Sequence, residues 1–195
     1  MKYWNHNAAY YKWVQEWTAG CKSVLDVGCG DGSLISSLDD GSKELVGIDM
    51  DASCIARAKQ SNGSVHTHFL CDDFLHYKTE EVYDAVVFVA SIHHMDMAAA
   101  LEKSKAMLSA HGCILIVGLA KPSSMIDYVV EGMRVLPCKI LTKFKRAQSS
   151  EELDLPVSYN LPTLKEVREL SARLLPHAVM RYGLYYRYLL RWIKH

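Results

Sequence analysis

The chain has 195 residues, with 22 Lys and Arg against 22 Asp and Glu, and half of its residues are hydrophobic. That length suffices for one α/β domain, residues 1–195, with a full core. A zero net charge argues against a dedicated nucleic-acid binder, and no apolar stretch is long enough to span a bilayer. The N-terminus is aromatic and polar and has no apolar leader segment. The six cysteines (Cys21, Cys29, Cys54, Cys71, Cys113 and Cys138) form no Cys-x-x-Cys pair and read as reduced, mostly buried thiols of a cytoplasmic protein.

Six of the first 17 residues are aromatic. Tyr10, Trp13, Val14 and Trp17 follow i, i+3, i+4, i+7, which predicts an amphipathic helix from Asn7 to Trp17. Its stripe fits packing against a sheet. Tyr3, Trp4, Asn5, His6 and Asn7 precede it and are harder to explain as core, so residues 1–20 read as a helical lid that excludes water from a pocket.

Val24 to Gly32 reads VLDVGCGDG, a strand running into a glycine-rich turn, and Leu34, Ile35 and Leu38 then open a helix. Two of the glycines sit where a ligand could approach bare backbone, and a helix N-terminus beyond them suits a carboxylate or phosphate. The spacing is G-x-G-x-G. A dinucleotide fingerprint needs its third glycine where Ser33 stands, and a phosphate-cradling loop needs G-x-x-x-x-G-K. Asp26 would repel a pyrophosphate and attract an ammonium. A ligand with a carboxylate, an ammonium and a ribose fits best, and S-adenosylmethionine is such a ligand.

Glu44 to Met50, ELVGIDM, is a second strand with Asp49 at its end, 21 positions after Gly28, where an acid takes ribose hydroxyls. Asp51 caps a helix from Ala52 to about Gln60. A third strand, Val65 to Leu70, ends in Cys71-Asp72-Asp73-Phe74. An acid beside an aromatic there either meets an adenine or is a helix cap beside a core phenylalanine. Tyr83 to Ala90 is a strand buried on both faces, followed by Ser91-Ile92-His93-His94-Met95. A helix from Asp96 to Ala110, ended by Gly112, leads to a fifth strand, Cys113 to Leu119.

From Val24 to about Lys121 these segments resemble a class I S-adenosylmethionine-dependent methyltransferase in order and spacing. The resemblance implies a Rossmann-like, doubly wound α/β fold with a seven-stranded sheet, mostly parallel, whose last strand is antiparallel. It also implies S-adenosylmethionine as cofactor, with S-adenosylhomocysteine as product. By motif position, Asp26 and the Gly28, Cys29 and Gly30 backbone would hold the methionine moiety. Asp49 would hold the ribose and Met50 would pack on the adenine. Asp73 and Phe74 would bind the adenine, with Asp72 the next choice. Ala90 and Ser91 would line the methyl-donor side. The whole chain, from YWNHN to YRYLLRW, is similar to small stand-alone methyltransferases.

Pro122 to about Leu136 reads as a helix, and a basic stretch (Lys139, Lys143, Lys145 and Arg146) is followed by acids. Residues 122–160 are either a substrate-side insertion or a solvated face beside its own acids. Thr163 to Glu166 is a capping box, and Ala178 to Tyr182 with Leu184 to Ile193 read as a hairpin around Gly183. The tyrosines and arginines of that hairpin fit either RNA stacking or alternating strand faces.

Methyl transfer from a sulfonium is an in-line displacement served by proximity and a dry pocket. If the acceptor must lose a proton, His93 and His94, beside the methyl-donor side, are the candidate bases, ahead of Tyr10, Tyr11 and His6. The expected acceptor is a small molecule, because the base-amino motif N-P-P-Y or D-P-P-Y is replaced here by Ala90-Ser91-Ile92-His93. The alternatives are a methyltransferase acting on RNA or protein, or a non-catalytic cofactor-binding protein. No metal is expected, since histidines and acids do not cluster at ligand spacing.

Overall fold

The computed structural model describes residues 7–121, 161–183 and 187–195. The lid residues 1–6, the helix and basic stretch expected within 122–160, and residues 184–186 lie outside the described residues.

Seven strands form one sheet in the order β3-β2-β1-β4-β5-β7-β6. They are β1 (Ser23–Val27), β2 (Glu44–Asp49), β3 (Thr67–Cys71), β4 (Tyr83–Val89), β5 (Leu108–Leu119), β6 (Val179–Tyr182) and β7 (Arg187–Ile193). β1, β2, β3, β4 and β5 pair in parallel, and β7 runs antiparallel to both β5 and β6. The chain winds outward from β1 to β3, returns to β4 beside β1, and continues to β5. The strand order therefore reverses between β1 and β4, where open α/β sheets leave a crevice at the carboxyl ends of their strands.

Apolar residues alternate between two faces. Val24, Leu45, Ala85, Val87, Leu115 and Val117 form one cluster with Val14 of α1 (Tyr11–Trp17), Leu34, Ile35 and Leu38 of α2 (Ser33–Leu38), and Ile55 and Ala58 of α3 (Ala52–Ser61). Leu25, Val27, Val86, Phe88, Ile114 and Ile116 form the other with Leu101 of α4 (Met97–Met107) and Val167 of α5 (Leu164–Leu174). Two covered faces are why the inner strands read as continuous apolar runs.

Local signals set the helix ends. The Asp51 carboxylate accepts from the Ser53 and Cys54 amides, and the Asp96 carboxylate accepts from the Ala99 amide. Thr163 and Glu166 form the expected reciprocal capping box. The N-terminal helix is shorter than its periodicity suggests: Ala8–Tyr10 is a 3₁₀ turn, and the α-helix starts at Tyr11. Trp17 does not enter the core. It is 40% exposed, with the Arg191 guanidinium 3.6 Å from its ring centroid. Gly112 lies inside β5 rather than ending α4, because Asp84 pulls the start of β5 against β4 by accepting from the Ser109 hydroxyl at 2.7 Å.

The β5–β7 pairing depends on one glycine. Gly118 stands opposite Tyr188, and a Cβ on Gly118 would come within 2.2 Å of the tyrosine Cζ. The Tyr188 ring lies across that gap and is fully buried. Gly118→Ala should therefore cost about 1–3 kcal/mol through overpacking. A urea-unfolding midpoint equal to that of the parent would show that the ring simply swings aside.

Candidate active site

The site grows from three segments at the carboxyl ends of β1, β2 and β4. After β1 the chain turns through Gly28, Gly30 and Gly32, all with positive φ. A Cβ on Gly28 would sit 2.4 Å from the Ser91 Cβ, while a Cβ on Gly30 would meet nothing within 4 Å. The two glycines therefore differ in purpose. Gly28 lets the loop after β4 close onto the loop after β1, and Gly30 leaves bare backbone facing open space. Ser91 completes the first contact by donating its hydroxyl hydrogen to the Val27 carbonyl.

The loop amides are occupied from within. Gly28 and Cys29 donate to the Ile48 carbonyl at 2.8 and 3.1 Å, Gly32 donates to the Cys29 carbonyl, and Gly30 donates to Asp49 Oδ2 at 2.8 Å. The Ser33 amide and hydroxyl are both taken by Asp31 Oδ1. This corrects the expectation that the N-terminus of α2 is open to an anion. The Asp31 carboxylate already fills that position, and the helix is only six residues long. The Cys29 side chain also points inward. It occupies the space left by Gly47, whose Cβ would lie 2.8 Å from its sulfur, and burial pushes its thiol well above the usual range.

Two carboxylates remain beside this loop. Asp49, ending β2, accepts from the Gly30 amide on one oxygen and from the Asp51 amide on the other, at 2.9 Å, so it is held between the loop and α3. Asp26, inside β1, is 2% exposed. Burial and the nearby Asp49 charge raise its carboxyl to about 7, and no hydrogen bond opposes that rise. A buried carboxylate of this kind favours a cationic group placed against it. Met50 follows Asp49 and is 72% exposed, an apolar side chain at the strand ends.

The end of β3 changes the adenine-side expectation. Phe74 is a core residue, 3% exposed and edge-on to Phe88 at 5.7 Å, with Lys103 Nζ 5.2 Å from its centroid, so its faces are covered. Asp73 is committed to its own turn, accepting from the Leu75 amide at 2.9 Å and pairing with His76 Nδ1 at 2.6 Å. These contacts hold its carboxyl below the usual range. Asp72 is the exposed acid of the pair, and its amide donates to the Asp49 carbonyl at 3.1 Å, which sets it beside the end of β2.

Beyond β4, Ala90 has φ +56°, a left-handed conformation unusual for alanine, and its amide is held by the Val117 carbonyl at 2.8 Å. Strain of this kind persists where its surroundings over-determine it. A 3₁₀ turn, Ile92–His94, follows, anchored by the fully buried Ile92. The His93 and His94 rings lie 4.1 Å apart. His93 Nδ1 is buried without a hydrogen-bond partner among the described residues. Burial, then the neighbouring His94 and Arg187, lower the His93 imidazolium to about 4. Residues that local patterns do not reveal also lie near this turn. Arg187, opening β7, donates to Asn7 Oδ1 at 2.8 Å and lies 6.0 Å from the Tyr10 ring centroid. That contact joins positions 180 apart in the chain, and no short-range signal marks it.

Residues 24–112 match a family model described as a methyltransferase domain. An uncharacterized methyltransferase of Mycobacterium tuberculosis (strain ATCC 25618 / H37Rv) is 29% identical over 199 residues, spanning 97% of this chain and 96% of that protein. An uncharacterized methyltransferase of Mycobacterium bovis matches to the same extent. Residues 24–112 thus match a methyltransferase domain, and the likeness to these relatives runs nearly the whole length of the chain. Solved structures support the fold of this methyltransferase. The plantazolicin methyltransferase BpumL in complex with S-adenosylhomocysteine superposes with a TM-score of 0.68 at 17% identity, covering 95% of this chain and 82% of that one. The N-methyltransferase NodS from Bradyrhizobium japonicum WM9, also with S-adenosylhomocysteine, gives 0.65 at 16% identity, covering 96% and 86%. Among the described residues, no helix of the methyltransferase is long and apolar enough to cross a membrane.

The buried Asp26 has a measurable signature. Its folded pKa of about 7 exceeds its ordinary value of 3.8. The native state therefore binds more protons than the unfolded chain between these values, and this contribution to stability is lost as pH rises through about 7. Relative to the parent, Asp26→Asn should gain roughly 2–4 kcal/mol at pH 8 and little at pH 4, from about 1.4 kcal/mol per pKa unit. Urea titrations of both proteins across that range test it, and parallel curves would contradict the assignment.

Proposed function

We propose that this methyltransferase moves the methyl group of S-adenosylmethionine to a small-molecule acceptor in the cytoplasm. The cofactor supplies an activated methyl on a sulfonium. In this reading Asp26 takes the ammonium of its methionine portion, since a cation there relieves the cost of a buried, unpaired carboxylate. Asp49, already oriented by the Gly30 and Asp51 amides, keeps lone pairs for the ribose hydroxyls. Gly30 provides the close backbone approach, and Met50 covers one adenine face. The exposure of Asp72 and the commitments of Asp73 and Phe74 favour Asp72 as the adenine-side acid. Gly28, Cys29, Ala90 and Ser91 shape the wall between the cofactor and the acceptor.

The observation that carries the acceptor assignment is the Asn7–Arg187 hydrogen bond, which draws the N-terminal segment to the side where His93 lies. An acceptor bounded by Asn7, Tyr10, His93 and Arg187 would be small, and the zero net charge adds no polyanion surface. The plantazolicin and NodS enzymes, whose folds match over nearly the whole chain, lend the reading further support. His93 enters as a neutral imidazole at pH 7, given its pKa of about 4. A base that weak aligns the acceptor by accepting its N–H or O–H hydrogen bond, and the proton released as the methyl bond forms passes to solvent water. The remaining acceleration comes from alignment and exclusion of water.

Two experiments test this. Calorimetric titration with S-adenosylmethionine should show Asp49→Ala and Asp26→Ala binding at least about tenfold more weakly, each losing a hydrogen bond to a charged group. Asp72→Ala should weaken binding more than Asp73→Ala does, and the reverse order would return the adenine contact to Asp73. Labelled cofactor incubated with a metabolite extract, with RNA and with protein should yield product in the first mixture. His93→Ala should lower that turnover roughly 100-fold with cofactor affinity kept. Product only with RNA or protein would reject the small-molecule acceptor.

A further inference from the structure

Asp26 lies beside Gly47 on β2 and Val87 on β4, so neither strand neighbour offers it a polar side chain. Side chains two apart on a strand share a face, which puts Asp49, two positions beyond Gly47, on the same face of the sheet as Asp26. The Cys29 side chain fills the gap over Gly47, whose Cβ would lie 2.8 Å from its sulfur. An apolar strand, a thiol and a second carboxylate therefore surround the Asp26 carboxyl. It is buried, and among the described residues it makes neither a hydrogen bond nor an ion pair.

A carboxyl in such a place resists ionisation, through burial first and the Asp49 charge second. The Cys29 thiol is raised by burial and by the Asp26 and Asp49 charges, so it stays neutral and supplies no counter-charge. An ammonium set against Asp26 reverses the balance, because an opposite charge in contact favours the ionised acid. The protein alone and its complex with a cation therefore differ in proton content at the same pH.

We propose that binding of S-adenosylmethionine expels one proton from Asp26, so that the site takes up its cofactor near neutral pH and gives it up in acid. The proposal rests on the reading that Asp26 receives the cofactor's ammonium. The O–H bond of the Asp26 carboxyl breaks as the ammonium settles against it, and the proton passes to solvent water. By linkage, a complex that binds fewer protons than the free protein gains affinity as pH rises, until the free protein itself loses the proton at about 7. Between pH 5 and 7 the cofactor's ammonium keeps its charge, and His93, at about 4, stays neutral. Neither contributes to the dependence in that window.

Calorimetric titration of the purified full chain with S-adenosylmethionine, in phosphate and in imidazole buffers, reads the proton directly, because the two buffers differ in ionisation enthalpy. At pH 6 about 0.9 proton should leave per cofactor bound, and affinity should rise roughly 50-fold from pH 5 to pH 7, both following from a pKa of about 7. 5′-Methylthioadenosine, which carries the adenosine but no amino-acid portion, should release none. Asp26→Asn, which has no proton to lose, should bind S-adenosylmethionine with an affinity nearly independent of pH over this range. Binding of S-adenosylmethionine with no proton released and a flat pH profile would overturn the inference and leave the cofactor reading in place. The same proton released with 5′-methylthioadenosine, or from Asp26→Asn, would belong to another group and overturn the inference as well. No binding at any pH would overturn the cofactor reading, and the inference with it.

Discussion

A missing methyl group at Gly28 sets the geometry on which the rest depends. The loops after β1 and β4 meet where the strand order reverses, and their backbones come close enough that any Cβ on Gly28 would strike Ser91. Ser91 in turn bonds the Val27 carbonyl, and Ala90 is held in a left-handed conformation by the Val117 carbonyl. These contacts lock the carboxyl ends of β1, β4 and β5 at fixed separation. They aim the 3₁₀ turn carrying His93 over the same end of the sheet as Asp26 and Asp49.

The site is built at a cost to the fold. The Asp26 side chain is buried near the end of β1 with no hydrogen bond among the described residues, and burial and the Asp49 charge raise its pKa. Asp49 is the opposite case, since two backbone amides hold it in place. One acid is buried without compensation, and the other is held in place by backbone donors. His93 extends the pattern: burial keeps its imidazole neutral, which suits guiding a lone pair more than accumulating charge.

The amino edge of the sheet follows a different logic. The Asp84 carboxylate accepts three hydrogen bonds that fasten the starts of β1 and β5.

The strands, their parallel order and the loop between Val24 and Gly32 were legible because period, apolar runs and glycine spacing are local properties. The caps at Asp51 and Thr163 were legible for the same reason. Tertiary structure decided which of two adjacent acids faces outward, because the choice between Asp72 and Asp73 turns on a one-residue register at the end of β3. It sent Phe74 into the core, where Phe88 and Lys103 cover its ring. It separated the roles of Gly28 and Gly30, which only the position of Ser91 distinguishes. It also joined Asn7 to Arg187, since a contact across such a distance is a product of sheet order and packing. Local chemistry specified the elements and the kind of ligand, and only the packed sheet determined which side chains meet.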